Sequence, residues 1–194
     1  MKNNLITDTT ALAMYVAGAY LHPGDFAVDA TCGRGNDTVA LAKAVGPAGR
    51  VLALDIQEEA VAATEERLRE EGLSNVTVVR DSFVNVQARW RGTMGGALPQ
   101  AIVFNLGYLP GGDKTVTTTA ETTLAGLAAA LEILAAGGII AIVMYDGHPA
   151  GAAEKQAVLG WAEGLDAAKY HAGYLAFPNQ THYPPEILWI TKKA

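Results

Sequence analysis

Asp29-Ala30-Thr31-Cys32-Gly33-Arg34-Gly35-Asn36-Asp37-Thr38 decides the fold. It closes a short apolar run, Phe26 to Ala30, that reads as a buried strand. It leads into residues 36–45, which read as a helix stopped by Gly46-Pro47. Strand, glycine turn and helix form the opening unit of a doubly wound α/β sheet. The alternation continues outward from there. Strands are predicted at Arg50 to Asp55, Val76 to Val79, Ala101 to Asn105 and Ile139 to Tyr145. Helices are predicted over Glu58 to Glu71, from the loop Leu106 to Asp113 up to about Ala135, and from about 150 to 163. Thr115 to Thr119 should begin the long helix through capping. Residues 8–20 read as an amphipathic helix with Leu12, Tyr15, Val16 and Ala19 on its apolar stripe. Two last strands, near Tyr170 to Phe177 and Ile187 to Thr191, flank a proline-rich stretch and should form an antiparallel edge. The expectation is an α/β, mostly parallel seven-stranded sheet with helices on both faces, in a single domain over residues 1–194.

Composition narrows the function. Half of the 194 residues are hydrophobic, enough for a core of normal size. The single cysteine, Cys32, excludes a disulfide framework and a Cys-rich zinc site, and fits a reducing compartment. No metal-ligand cluster is visible. MKNNLITDTT lacks a signal-peptide pattern, and stretches such as Gly137 to Met144 are too short to span a bilayer, so a cytoplasmic protein without a membrane partner is expected. The net charge of −6 argues against broad binding to nucleic-acid backbone but leaves room for a local contact.

Open sheets of this kind bind ligands at the carboxyl ends of their strands, so the loops there carry the function. Gly33 and Gly35 allow a tight turn and close backbone approach to a ligand. A pyrophosphate loop would want glycine where Thr38 stands, and Asp29 and Asp37 flank the place where phosphates would sit. A ligand with an ammonium and a sulfonium group would welcome those acids, and S-adenosylmethionine carries both without a phosphate. Thr31, Asn36 and Thr38 complete the polar lining of that loop. Asp55 ends the second strand about twenty residues beyond Gly35, where an acid grips ribose hydroxyls. Ile56 and Gln57 would cover the adenine, and Asp81 with Ser82 would meet its amino edge. Each acid alone also reads as a helix cap.

The motifs DATCGRGNDT, with the acid of LALD, resemble a class I S-adenosylmethionine-dependent methyltransferase. More closely, DATCGRGNDT, NLGYLPGGDK, YDGHPAG and NQTHYPPEILWI are similar to the bacterial rRNA methylase family, over nearly the whole chain. That family includes the enzyme that methylates the aminomethyl group of 5-aminomethyl-2-thiouridine at the tRNA wobble position. The resemblance implies a Rossmann-like class I methyltransferase fold without an added RNA-binding domain. It implies RNA as partner, in the tRNA anticodon region, and leaves a homodimer open.

The resemblance extends to the reaction loop. Amino-group methyltransferases carry Asn/Asp-Pro-Pro-Tyr/Phe there, and this chain carries Asn105-Leu106-Gly107-Tyr108. Asn105 and Tyr108 match as catalytic candidates, the first orienting an amine beside the cofactor and the second stacking on a base. Leu106-Gly107 departs from the pattern. Their plain alternatives are a strand cap and a packed aromatic. Gly107, Tyr108, Lys114, His148, Asn179 and Gln180 are the candidate substrate contacts. Lys114 suits a phosphate and His148 a proton, while an exposed lysine and a turn histidine are the blander readings. Trp90 with Arg89 and Arg91 reads either as a strand-stacking cluster or as a solvated loop with one packed tryptophan. Cys32 lies in the cofactor loop, away from a target ring, so transfer to nitrogen is favoured over covalent carbon methylation. A small-molecule amine methyltransferase, an rRNA methyltransferase and a non-catalytic cofactor binder stay as alternatives.

Overall fold

The computed structural model describes residues 5–109, 111, 117–147, 149–182 and 184–194. Its strands are β1 (Phe26–Asp29), β2 (Arg50–Asp55), β3 (Val76–Arg80), β4 (Ala101–Asn105), β5 (Ile139–Met144), β6 (Tyr170–Leu175) and β7 (Glu186–Lys192). They form one sheet in the order β3-β2-β1-β4-β5-β7-β6. The first five strands run parallel, and β7 pairs antiparallel with both β5 and β6. β5 reads Ile-Ile-Ala-Ile-Val-Met and is buried throughout, as a central strand covered on both faces must be.

The helices are α1 (Thr9–Gly18), α2 (Asn36–Val45), α3 (Glu58–Glu70), α4 (Val86–Thr93), α5 (Ala120–Ile133) and α6 (Pro149–Glu163). Strand residues alternate between two cores. Val28, Leu52, Leu54, Ile102, Phe104, Ile140 and Ile142 pack with side chains of α4, α5 and α6. Ala27, Val51, Ala101, Val103 and Ala141 face the other way, against Ala17 of α1 and Leu41, Ala42 and Val45 of α2. The smaller strand side chains on that face let helices approach closely.

That size difference corrects the expected stripe on α1. Ala13 and Ala17 face the sheet, whereas Tyr15 is 67% exposed. Leu12 and Val16 pack against the core as expected, while Tyr15 and Ala19 are exposed, because the small residues Ala13 and Ala17 centre the buried face. A second difference is α4, which hydrophobic periodicity did not reveal. Trp90 is buried in it, edge-on to Phe26 with ring centroids 5.9 Å apart, and its Nε1 donates to the Ala97 carbonyl. Such a contact adds about 0.5–1.5 kcal/mol beyond the buried area. Trp90 is therefore a core residue in a helix, not a stacking platform and not part of a loop. α5 starts at Ala120 behind a reciprocal cap between Thr119 and Thr122.

Candidate active site

After β1 the chain turns into α2 on one face, and after β4 it passes to α5 on the other. β1 and β4 are hydrogen-bonded neighbours, so their carboxyl ends flank the switch point where such sheets open a crevice. The loops after both strands meet there. Thr31 Oγ1 accepts from the Asn105 backbone N–H at 2.7 Å, and an added Cβ on Gly33 would lie 3.4 Å from Leu109 Cδ1.

The first loop is held by its own acids. Asp29 is fully buried; its carboxylate accepts from the Thr31 N–H at 3.2 Å and from the Thr38 hydroxyl at 2.6 Å. Burial, and then the charge of Asp37, push its pKa up to about 7. Asp29 thus acts from beneath the loop, and Thr38 is spent on holding it. Gly35 has φ +77° and sits where a Cβ would come within 3.1 Å of Thr64 Cα, which restricts this turn to glycine. Asn36 accepts from Arg67 of α3 at 2.6 Å, a tie between helices.

Asp37, in the first turn of α2, links the two strands. It accepts from Asn105 Nδ2 at 2.7 Å, and burial raises its pKa despite that bond. Because a carboxylate only accepts, the bond fixes Asn105 with its NH2 toward Asp37. Its Oδ1 is buried and has no partner among the described residues. An amide oxygen held this way costs free energy until a donor reaches it. Asp29, Asp37 and the orphaned Asn105 oxygen fit a cationic ligand beside an N–H donor. They fit a phosphate badly.

Asp55 ends β2, with its oxygens accepting from Gly33 N–H at 3.0 Å and Gln57 N–H at 2.9 Å. Each carboxylate oxygen can accept a further bond, and the next residue, Ile56, is exposed. Asp81 accepts from Ser82 N–H, Asn85 Nδ2 and Arg89 Nε. Burial opposes ionisation, but the Asn85 and Arg89 bonds hold it below the usual carboxylate range. Ser82 caps the turn Phe83–Asn85. Arg89 is therefore engaged inside the molecule. Cys32 is buried, and burial pushes its thiol far up, so it is no nucleophile at neutral pH.

In the second loop Gly107 has φ +112°, a conformation closed to the proline of the resembled pattern. Its N–H donates to Thr118 Oγ1 at 2.8 Å and its carbonyl accepts from the Thr118 N–H at 3.1 Å. Tyr108 bridges to Thr117 and is 39% exposed. Asn179 and Gln180 are exposed and bond to each other, in the loop that leaves the same sheet edge from β6. Lys114 and His148 lie outside the described residues.

Glu154 of α6 was missed by the sequence reading. It is buried and accepts from Thr118 at 2.8 Å and from Thr123 at 2.6 Å, so it anchors the clamp on Gly107. Its spacing was a signal: Gly151, Glu154, Val158 and Ala162 form the buried stripe of α6. Replacing Glu154 with alanine is expected to lower stability by about 2–3 kcal/mol in urea melts, because two charge-assisted bonds go. A loss near zero would show that the clamp is idle.

Strand order, crevice and loops define a Rossmann-like class I methyltransferase fold. A model of the family described as "Putative rRNA methylase" matches residues 51–191, and this chain belongs to that family. A second model, for protein-L-isoaspartate(D-aspartate) O-methyltransferase, matches residues 2–84. The crystal structure of a "putative rRNA-methylase" from Clostridium thermocellum is 38% identical, with TM-score 0.89 over 95% of this chain and 97% of that one. A "putative methyltransferase" from Streptococcus mutans, solved with S-adenosylhomocysteine, is 34% identical, with TM-score 0.82 over 94% and 97%. The tRNA (mnm(5)s(2)U34)-methyltransferase, chloroplastic, of Arabidopsis thaliana is 37% identical over 83% of this chain. This chain spans 61% of that protein's length. Among the described residues no helix is long and apolar enough to cross a membrane.

Proposed function

We propose that the chain is an S-adenosylmethionine-dependent N-methyltransferase acting on the 5-aminomethyl group of a 2-thiouridine at the tRNA wobble position. The observation that carries this reading is the buried Asn105 Oδ1, which has no partner among the described residues while the amide nitrogen is held by Asp37. S-adenosylmethionine supplies an electrophilic methyl group on a sulfonium centre. Asp37, from the loop that Asp29 braces, faces the positive charge of the cofactor; the free lone pairs of Asp55 serve its ribose. Asn105 Oδ1 accepts one N–H of the target amine, which turns the nitrogen lone pair toward the methyl group and restricts its approach. Tyr108, half exposed beside it, offers a face to the base. The family name and the printed name of the Arabidopsis relative support RNA, and the latter the wobble nucleotide.

The same reading places the protein in the cytoplasm, with a tRNA anticodon region as partner and a homodimer as its assembly. β6 supports the latter: it is one of the sheet's two outer strands and leaves an edge open to pairing. Incubation with S-adenosylmethionine and tRNA carrying 5-aminomethyl-2-thiouridine, followed by nucleoside mass spectrometry, is expected to give the methylaminomethyl product. Methylation of rRNA or of free amines with the wobble nucleoside untouched would sink the assignment.

A further inference from the structure

A polar cluster lies next to the reaction loop, apart from the residues assigned to the cofactor and the amine. Asp146 follows β5 by two residues, and Glu186 opens β7 opposite Met144. Lys155 of α6 reaches both, binding Asp146 Oδ2 and, at 2.9 Å, Glu186 Oε2; the Tyr174 hydroxyl donates to that same Glu186 oxygen. These side chains are 12%, 12% and 15% exposed for Lys155, Asp146 and Glu186. Burial opposes the lysine charge, but the bonds to Asp146 and Glu186 push its pKa up to about 12. Two carboxylates therefore face one ammonium, and the cluster carries an excess negative charge in partly desolvated surroundings.

A second observation is independent of that charge. Asp146 Oδ1 is buried and accepts no bond among the described residues. Two other such atoms, Asn105 Oδ1 and Thr117 Oγ1, belong to the same corner. Asn105 pairs with Val143 at the end of β5, Thr117 bridges Tyr108, and a Cβ on Gly107 would lie 3.9 Å from the Cβ of Tyr145, the residue before Asp146. Buried polar atoms are nearly always bonded in folded proteins, so three at one corner without a partner among the described residues fit a ligand that brings its own donors.

We infer that Asp146, held by Lys155 and Glu186, is the anionic subsite for a primary alkylammonium group on the methyl-accepting molecule. The inference rests on the amine-target reading above and adds the residue that selects an amine. The bound ammonium first gives one proton to solvent water, which frees the nitrogen lone pair; in the transfer the C–S bond then breaks and an N–C bond forms, so positive charge passes from sulfur to the nitrogen of the new secondary ammonium. A carboxylate fixed beside that nitrogen stabilises the charge as it develops, and an acceptor that stays neutral gains nothing from it.

Two anticodon stem-loop RNAs test the inference, one with 5-aminomethyluridine and one with 5-methyluridine at the wobble position, titrated against the S-adenosylhomocysteine complex. The wild type is expected to bind the aminomethyl RNA about tenfold more tightly. Asp146→Asn, of nearly the same shape, should bring that ratio close to one while leaving affinity for the methyl RNA unchanged. Glu186→Gln, which keeps Asp146 but removes the excess charge, should lower the ratio partway. An unchanged ratio in both variants overturns the subsite. If the wild type methylates the aminomethyl RNA yet Asp146→Asn keeps the preference, only the subsite falls. If the wild type neither prefers nor methylates that RNA, the amine-target reading falls with it.

Discussion

Asn105→Ala is expected to lower kcat by about 10²-fold or more, with a much smaller change in affinity for S-adenosylmethionine. The variant removes the amide whose nitrogen donates to Asp37 and whose Oδ1 has no partner among the described residues. In the proposed reaction its Oδ1 acts on the approach of the nucleophile, which matters at the transition state and little for holding the cofactor. An unoriented reactant costs about that factor. The lost bond to Asp37 leaves that carboxylate without its Asn105 donor, so cofactor affinity should fall by about tenfold at most. Single-turnover rates beside calorimetry separate the two effects. Cys32→Ser is the control: a buried thiol with a raised pKa is no nucleophile, so turnover should persist. Normal turnover in Asn105→Ala, or a dead Cys32→Ser that still binds cofactor, would reopen covalent carbon methylation.

The fold was legible where periodicity and punctuation agree. α2 runs from Asn36 to Val45 between two glycines, and β2 and β4 are apolar runs ending in Asp55 and Asn105. It was not legible in Val86–Thr93, where Trp90 stands between two arginines and mimics a surface cluster. The tryptophan goes inward to Phe26 and Arg89 goes sideways to Asp81, and neither partner is near in sequence. The site behaves the same way. The acids at the strand ends could be read because strand ends carry ligands in such sheets. What each acid touches could not. Asp37 meets Asn105 only because β1 lies beside β4, and Asp146 meets Glu186 only because β7 returns antiparallel along β5. Glu154 meets Thr118 and Thr123 only because α6 docks beside α5.

Raising the pH from 5 to 8 is expected to destabilise the ligand-free protein, and Asp29→Asn should remove much of that slope. Asp29 is raised from 3.8 to about 7, by burial first and by the Asp37 charge second. Between those values the folded chain keeps a proton that the unfolded chain has released. Stability is therefore full below about pH 4 and falls as the pH rises through about 7. The displacement corresponds to about 4 kcal/mol, and Asp37, raised in the same direction, adds to the fall. In Asp29→Asn the Thr31 N–H still finds an amide oxygen, and the Thr38 hydroxyl can turn to accept from the new NH2. The variant should then melt above the wild type at pH 8 and close to it at pH 5. A cationic ligand offsets the same repulsion, so S-adenosylmethionine should raise the wild-type melting temperature more at pH 8 than at pH 6. S-adenosylhomocysteine, which lacks the sulfonium charge, should show a weaker pH dependence. A wild-type melting temperature flat from pH 5 to 8, or a slope that survives Asp29→Asn, would show that the buried pair is not poised against a positive charge. The first loop would then be a turn stabilised by its own hydrogen bonds and nothing more.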